Sequence, residues 1–234
     1  MYDTAIPSDI FFQNYLLTYV ERDAGGLLNV RNLNSFRKLI SLCAASVGGL
    51  LNVSRLAADA GVTAPTVNSW LSILQSSYLV FLLQPYAGNL RKRLTKAPKL
   101  YFYDTGLLCH LLGIHNENDL ANHPLRGEIF ENLVISERLK AHLNRGVEPA
   151  LFFYRDDSKR EIDLIDLTNR TRPQAFEIKA GATYRDSFAR HLRPVGLELG
   201  IPAENRAIVY HGSERYKVDG ASVIPVELFL LQEP

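Results

Sequence analysis

Apolar positions along the first third of the chain recur at helical spacing. Phe12, Tyr15, Leu16 and Tyr19 share one side of a helix predicted over residues 11–22, and so aromatic a face needs a surface to pack against. Phe36, Leu39, Ile40, Cys43 and Val47 follow the i, i+3, i+4, i+7 rule of a second helix, with Asn34 or Ser35 as its cap and Gly48-Gly49 as its end. Ser54 is expected to cap a short helix through Ala60, closed by Gly61. Thr63 caps the next, with Pro65 in its first turn and Val67, Trp70, Leu71 and Leu74 turned inward. Two β-rich runs, at residues 79–83 and 99–103, flank a basic loop.

The texture changes near residue 120. A helix predicted over residues 126–144 carries Glu128 and Glu131 on neighbouring positions of one face. Three strand-like runs follow at residues 151–154, 161–165 and 174–179, with polar turns between them. Strand side chains alternate, so Glu161 and Asp163 are expected on one face and Ile162 and Leu164 on the other. In the third run Glu177 and Lys179 point together, and Phe176 and Ile178 point away. Tyr184, Arg185, Ser187, Arg190 and His191 are placed on a following helix, either against a phosphate backbone or on a plain solvated face. Residues 206–210 offer a fourth strand, and residues 223–231 a terminal apolar run that completes the sheet.

Composition narrows the class. Apolar residues at 47% and charged residues at 22% describe a soluble, core-forming chain. The 234 residues divide into a helical linker at 1–30, a helix-rich domain at 31–120 and an α/β domain at 121–234. A formal charge of +1 advertises no polyanionic partner, so nucleic-acid binding must rest on a local patch. No apolar stretch is long enough to span a bilayer and no secretory signal is visible, so no membrane partner is expected. Cys43 and Cys109 read as free thiols, which fits a reducing cytoplasm. No Cys/His cluster has zinc spacing, and His110, His115 and His123 read as surface residues.

Helix, short helix, tight turn, helix and β-hairpin is the order of a winged helix-turn-helix domain. Its third helix turns Thr66, Asn68, Ser69, Ser72, Gln75 and Ser76 outward, small polar side chains that can approach phosphates and base edges. The wing loop gathers Arg91, Lys92, Arg93, Lys96 and Lys99, the dense basic cluster that phosphate binding requires. Winged helices also serve as protein–protein modules, and a basic loop can be a solvated turn. The sequence leaves DNA and protein partners both open.

The carboxyl half carries the chemistry. Asp163 and Glu177, on adjacent strands, can hold a Mg²⁺ or Mn²⁺ ion, which favours oxygen ligands. Lys179, on the face of Glu177, can orient a water or stabilise charge on a phosphorane-like transition state. Glu131 can add a ligand or take a proton, with Glu128 in reserve. A lone Glu-x-Lys on a strand is usually a surface ion pair. A helix glutamate, a hairpin, a strand aspartate and Glu-x-Lys in register make a much rarer set, that of a PD-(D/E)XK nuclease-type site.

Six stretches also carry a resemblance. They are residues 15–23 (Tyr15 to Asp23), 98–107 (Pro98 to Leu107), 127–132 (Gly127 to Asn132), 153–156 (Phe153 to Asp156), Glu161-Ile162-Asp163 and Phe176-Glu177-Ile178-Lys179. In this order the chain resembles the carboxyl-terminal region of predicted prokaryotic ATPases of the AAA+ superfamily that carry a DUF4143 domain. The resemblance implies an ATPase module ahead of a winged helix and a restriction-endonuclease-like α/β domain. It also supports Asp163, Glu177 and Lys179 as the nuclease-like set, with Glu131 as a fourth member. No Gly-x-x-x-x-Gly-Lys-Ser/Thr loop occurs here, so ATP is expected to bind only to a longer parent, whose ATPase module would be a partner of this chain.

Overall fold

A computed structural model describes residues 6–19, 33–87, 97–218 and 220–232. The first element is α1 (Ser8–Thr18), followed by the buried Tyr19. Phe12 and Leu16 turn toward the core with Tyr19, whereas Tyr15 lies exposed and stacks on Phe11 at 6.4 Å. Three of the four expected facing residues thus pack inward, at i, i+4 and i+7. Arg22, at the expected end of this helix, lies outside the described residues.

Helices α2 (Leu33–Ala44), α3 (Val53–Ala60) and α4 (Ala64–Ser76) follow. Asn34 and Ser35 fall inside the first turn of α2 rather than at its cap. Helix α3 is capped by Asn52, whose side chain accepts the Arg55 N–H, so Ser54 lies within it; Gly61 closes it at a left-handed φ of 71°. Thr63 caps α4 by accepting the Thr66 N–H. Phe36 meets Trp70 edge-to-face at 5.3 Å in the core between them.

Strands β1 (Val80–Pro85) and β2 (Lys99–Phe102) form the expected antiparallel pair. They do not stand apart. β1 also pairs, in parallel, with β3 (Leu151–Arg155), joining the hairpin to one larger mixed sheet. Between them run α5 (Thr105–Leu111), α6 (Glu117–Asn122) and the long α7 (Arg126–Asn144). The later elements are β4 (Glu161–Asp166), β5 (Gln174–Lys179), α8 (Leu192–Glu198), β6 (Arg206–Tyr210), β7 (Tyr216–Val218), β8 (Ala221–Pro225) and α9 (Val226–Leu230). The terminal apolar run is therefore half strand and half helix, with the break at Pro225. Residues 184–191 are also not one helix. Asp186–Ala189 is a 3₁₀ turn, and α8 begins at Leu192, which leaves Pro194 in a first turn where its missing N–H costs nothing.

The sheet divides two apolar cores. Phe153, Leu164, Phe176 and Ile178 join α7 and the amino-terminal helices on one side. Ile162, Ile165, Ala175 and Ile208 pack with Leu192 and Val195 of α8 on the other. Ile162 and Leu164 thus lie on opposite sides, contrary to simple alternation. The reason is a bulge in β4. Phe152 pairs with Ile165 and Tyr154 with Ile162, so Asp163 and Leu164 together oppose Phe153. The inserted residue resets the parity of the strand at Asp163.

Candidate active site

The bulge determines where Asp163 goes. The β4–β5 ladder runs from Asp166↔Gln174 to Leu164↔Phe176 and stops. One position further, the Asp163 carboxylate itself accepts the Ile178 N–H at 2.7 Å. The strands part around that side chain. Lys179 Nζ lies in the opening, 3.2 Å from Asp163 Oδ2 and 2.8 Å from Glu177 Oε1.

Helix α7 completes the cluster. Glu131 Oε1 accepts the Tyr101 hydroxyl at 2.5 Å and Lys99 Nζ at 3.0 Å. Lys99 Nζ lies also 2.6 Å from Glu161 Oε1 and 5.5 Å from the centre of the Phe153 ring. Expected in the basic loop, Lys99 is instead a buried counterion of the carboxylates. Arg155 reaches the other oxygen of Glu161 at 3.3 Å. Glu128 does not join; it lies beside Gly48, lining a cavity of about 500 Å³ with residues of α3.

Four carboxylates face the buried ammonium of Lys99, the half-buried one of Lys179 and the Arg155 guanidinium, which leaves excess negative charge, and the protonation of the site reflects it. Burial and the neighbouring Asp163 push Glu131 up to about 7, although Lys99 and Tyr101 pull it down. The same two causes push Glu177 up to about 8 against the pull of Lys179. Burial works against the charge of Lys99, but Glu131, Asp163 and Glu161 more than offset it and raise its pKa above the usual lysine value. Lys179 is likewise raised, with Asp163 and Glu177 outweighing its burial.

A hard divalent cation needs oxygen donors, and Mg²⁺ commonly takes only one or two carboxylates and keeps several waters. Asp163 and Glu177 supply such a pair. Glu177 Oε2 is buried and, among the described residues, has no hydrogen-bond partner, which makes it the acceptor such an ion would satisfy. Among the described residues no three His, Cys, Asp or Glu side chains are grouped to hold an ion, so Glu131 is not placed as a third ligand.

Of the residues expected at a nucleic-acid interface, Thr66 and Ser69 are described and lie on α4. Ser69 is exposed on α4, and the Thr66 hydroxyl is 2.8 Å from that of Thr63 at the helix cap. Arg91, Lys92, Arg93 and Lys96 lie outside the described residues. His110 and His115 both meet the carboxylate of Asp9, at 3.4 and 2.9 Å, and tie α1 to the α5 region. Cys43 and Cys109 are free thiols. Among the described residues no helix is long and apolar enough to cross a membrane.

Two family comparisons frame this site. Residues 1–118 match a domain of unknown function, DUF8612, and residues 126–229 match another, DUF4143. The chain belongs to the DUF8612 family and carries a DUF4143 domain. Glu131, Asp163, Glu177 and Lys179 lie within the DUF4143 match, whereas Lys99 and Tyr101 lie within the DUF8612 match. The site therefore draws on both. The chain is similar to uncharacterized proteins of Mycobacterium tuberculosis and Mycobacterium bovis, each 32% identical over 218 residues. Those residues are 92% of this chain and 47% of either relative, so the chain spans about half the length of the curated relatives it matches. No solved structure matches it.

Sequence reasoning placed Asp163, Glu177, Lys179 and Glu131 near one another and missed the roles of Lys99, Tyr101 and Glu161. Strand parity held the signal. Lys99 and Tyr101 alternate with Leu100, as Glu161 does with Ile162, so the two lysine-and-carboxylate rows were readable once β1 was known to pair with β3.

Proposed function

We propose that this chain is a PD-(D/E)XK-type, divalent-metal-dependent nuclease region acting on DNA, with its amino-terminal helices and hairpin serving as a winged-helix DNA-binding unit. The observation that carries the proposal is Glu177. One of its oxygens is bound to Lys179, which also bonds Asp163, while the other is buried with no partner among the described residues. A buried carboxylate oxygen in that state is costly unless a ligand satisfies it.

Asp163 and Glu177 would hold the ion, and when bound it supplies Lewis acidity toward a phosphodiester oxygen. Lys179, relieved of neutralising the pair, orients the attacking water and faces the charge that develops on the phosphoryl oxygens. Glu131, with a pKa near neutrality, is suited to take a proton from that water. Lys99 and Tyr101 hold the Glu131 carboxylate in place. In longer relatives of the resembled type, an AAA+ ATPase module would supply ATP-driven motion and would be the partner of this region.

Cleavage of plasmid and single-stranded DNA in Mg²⁺ and in Mn²⁺, wild type beside Lys179→Ala, tests the enzyme. Wild type that cuts no better than the variant with either metal would sink it. The competing reading is a catalytically inactive DNA- or protein-binding accessory region. It draws support from Lys179, whose ammonium already bridges Asp163 and Glu177. It predicts salt-dependent DNA affinity without cleavage, whereas a protein-binding module predicts no such affinity and no effect of neutralising Arg91, Lys92 and Arg93.

A further inference from the structure

The three elements that assemble the carboxylates build a second, oppositely charged place further along. Arg138 lies two turns beyond Glu131 on α7, Asp166 lies beyond Asp163 on β4, and Gln174 pairs with Asp166 from β5. At 1.5 Å per helical residue and about 3.3 Å per strand residue, each offset is about 10 Å.

The floor of this place is rigid. Arg138 Nε donates to Asp166 Oδ2 at 2.7 Å, and its Nη2 donates to Gln174 Oε1 at 2.5 Å. His142 Nε2 lies 2.8 Å from the same Asp166 oxygen, and the Thr168 N–H donates to Oδ1 at 3.0 Å. The guanidinium also lies 5.6 Å from the Phe176 ring and 5.8 Å from that of Phe229. Both oxygens of Asp166 are thereby engaged.

Two adjoining cavities of about 460 and 300 Å³ open here, both lined by Arg138, Asn169, Arg172 and Gln174. Arg145 and Arg170 line the larger one, where Asp166 is the sole carboxylate among the described lining residues. Arg138 is balanced by Asp166, whereas Arg170 and Arg172 stand exposed at the walls and add two positive charges. We propose that this is a phosphate-binding pocket for a nucleotide or a nucleic-acid strand. Guanidinium forks match phosphate oxygens two at a time, and the amides of Asn169 and Gln174 add orienting hydrogen bonds. The volume is that of a small-ligand site. At about 3.4 Å rise per nucleotide, a strand in the pocket would reach the carboxylate cluster about three nucleotides away. Binding here needs no metal and does not depend on cleavage at the cluster.

The test is binding in EDTA by calorimetry and fluorescence anisotropy. The probes are inorganic phosphate, a mononucleotide, and a short single-stranded oligonucleotide with and without a 5′-phosphate. Arg170→Ala/Arg172→Ala, changed only at exposed positions, should bind roughly tenfold more weakly, with a salt slope for the single-stranded oligonucleotide lower by about 1.4. Arg170→Lys/Arg172→Lys should keep the slope yet lose affinity. Preference for the 5′-phosphorylated strand identifies a strand end as the ligand, equal binding an internal phosphate, and binding of the small anions alone a nucleotide site. The proposal is overturned if wild type binds none of the probes, or if the double alanine variant keeps wild-type affinity and salt slope.

Discussion

The Asp163 carboxylate accepts the Ile178 N–H at 2.7 Å, one step past the last β4–β5 ladder pair. A side chain thus does the work of a main-chain carbonyl, at the residue where the bulge bends β4. Asp163→Asn keeps an acceptor for that N–H, whereas Asp163→Ala leaves it buried and unpaired. The alanine variant should lose about 1–3 kcal/mol and the asparagine variant distinctly less. Urea unfolding in EDTA checks this, and equal losses would mean that the hydrogen bond is immaterial.

Lys99 is a buried cation shared by Glu131 and Glu161. Lys99→Met should cost about 3 kcal/mol, because it strands Glu131 without its counterion and leaves Glu161 only Arg155. Adding Glu131→Gln to that variant should restore part of the loss, as a double-mutant cycle would register. Strict additivity would show that the pair does not interact.

The raised pKa values of Glu131 and Glu177 set a basic limb of stability. A carboxylate whose folded pKa lies above its unfolded value of about 4.3 stabilises the fold fully below that value. The contribution disappears as pH rises through about 7 for Glu131 and about 8 for Glu177. The metal-free protein should therefore unfold at progressively lower urea between about pH 5 and pH 9, and Glu177→Gln should flatten the curve. Because ligands must be deprotonated, added Mn²⁺ should raise the midpoint more at the alkaline end. A flat wild-type profile would contradict the burial of these groups.

Asp166 sets the opposite limb. Burial raises its pKa, but Arg138 and the His142 hydrogen bond outweigh that and hold it below the usual carboxylate value. Its stabilising effect is present above the unfolded value of about 3.9 and is lost as pH falls through the lower folded one. Asp166→Asn should cost about 3 kcal/mol near neutrality, by leaving Arg138 without its anion, and should blunt acid unfolding. Thermal melts from about pH 2 to pH 7 would reveal whether that acid transition survives the substitution.

Periodicity read most elements within a few residues, because each has a one-sided apolar pattern: Phe36 to Cys43 in one helix, Val67 to Leu74 in another, and alternation in β5. It also placed Glu177 and Lys179 together, since β5 is regular. It misplaced Leu164 because a bulge leaves no mark in a hydrophobic pattern; an extra apolar residue in β4 looks like ordinary strand. Asn52 rather than Ser54 capping α3 is a choice between equally good caps that only backbone geometry makes. Lys99 resembled a loop cation because its carboxylate partners are distant in sequence, although its place at the start of the strand run 99–103 set it apart from Arg91 and Lys92.

The parallel pairing of β1 with β3 has a consequence for heredity. Through it, Lys99 and Tyr101 of the DUF8612 region reach Glu131 and Glu161 of the DUF4143 region, across the boundary between the two families. A recombination event at that boundary would bring together halves whose buried charges had been selected apart. Lineages that swap one region should therefore carry matching changes in the other: a neutral residue at position 99 should travel with a neutral one at position 131.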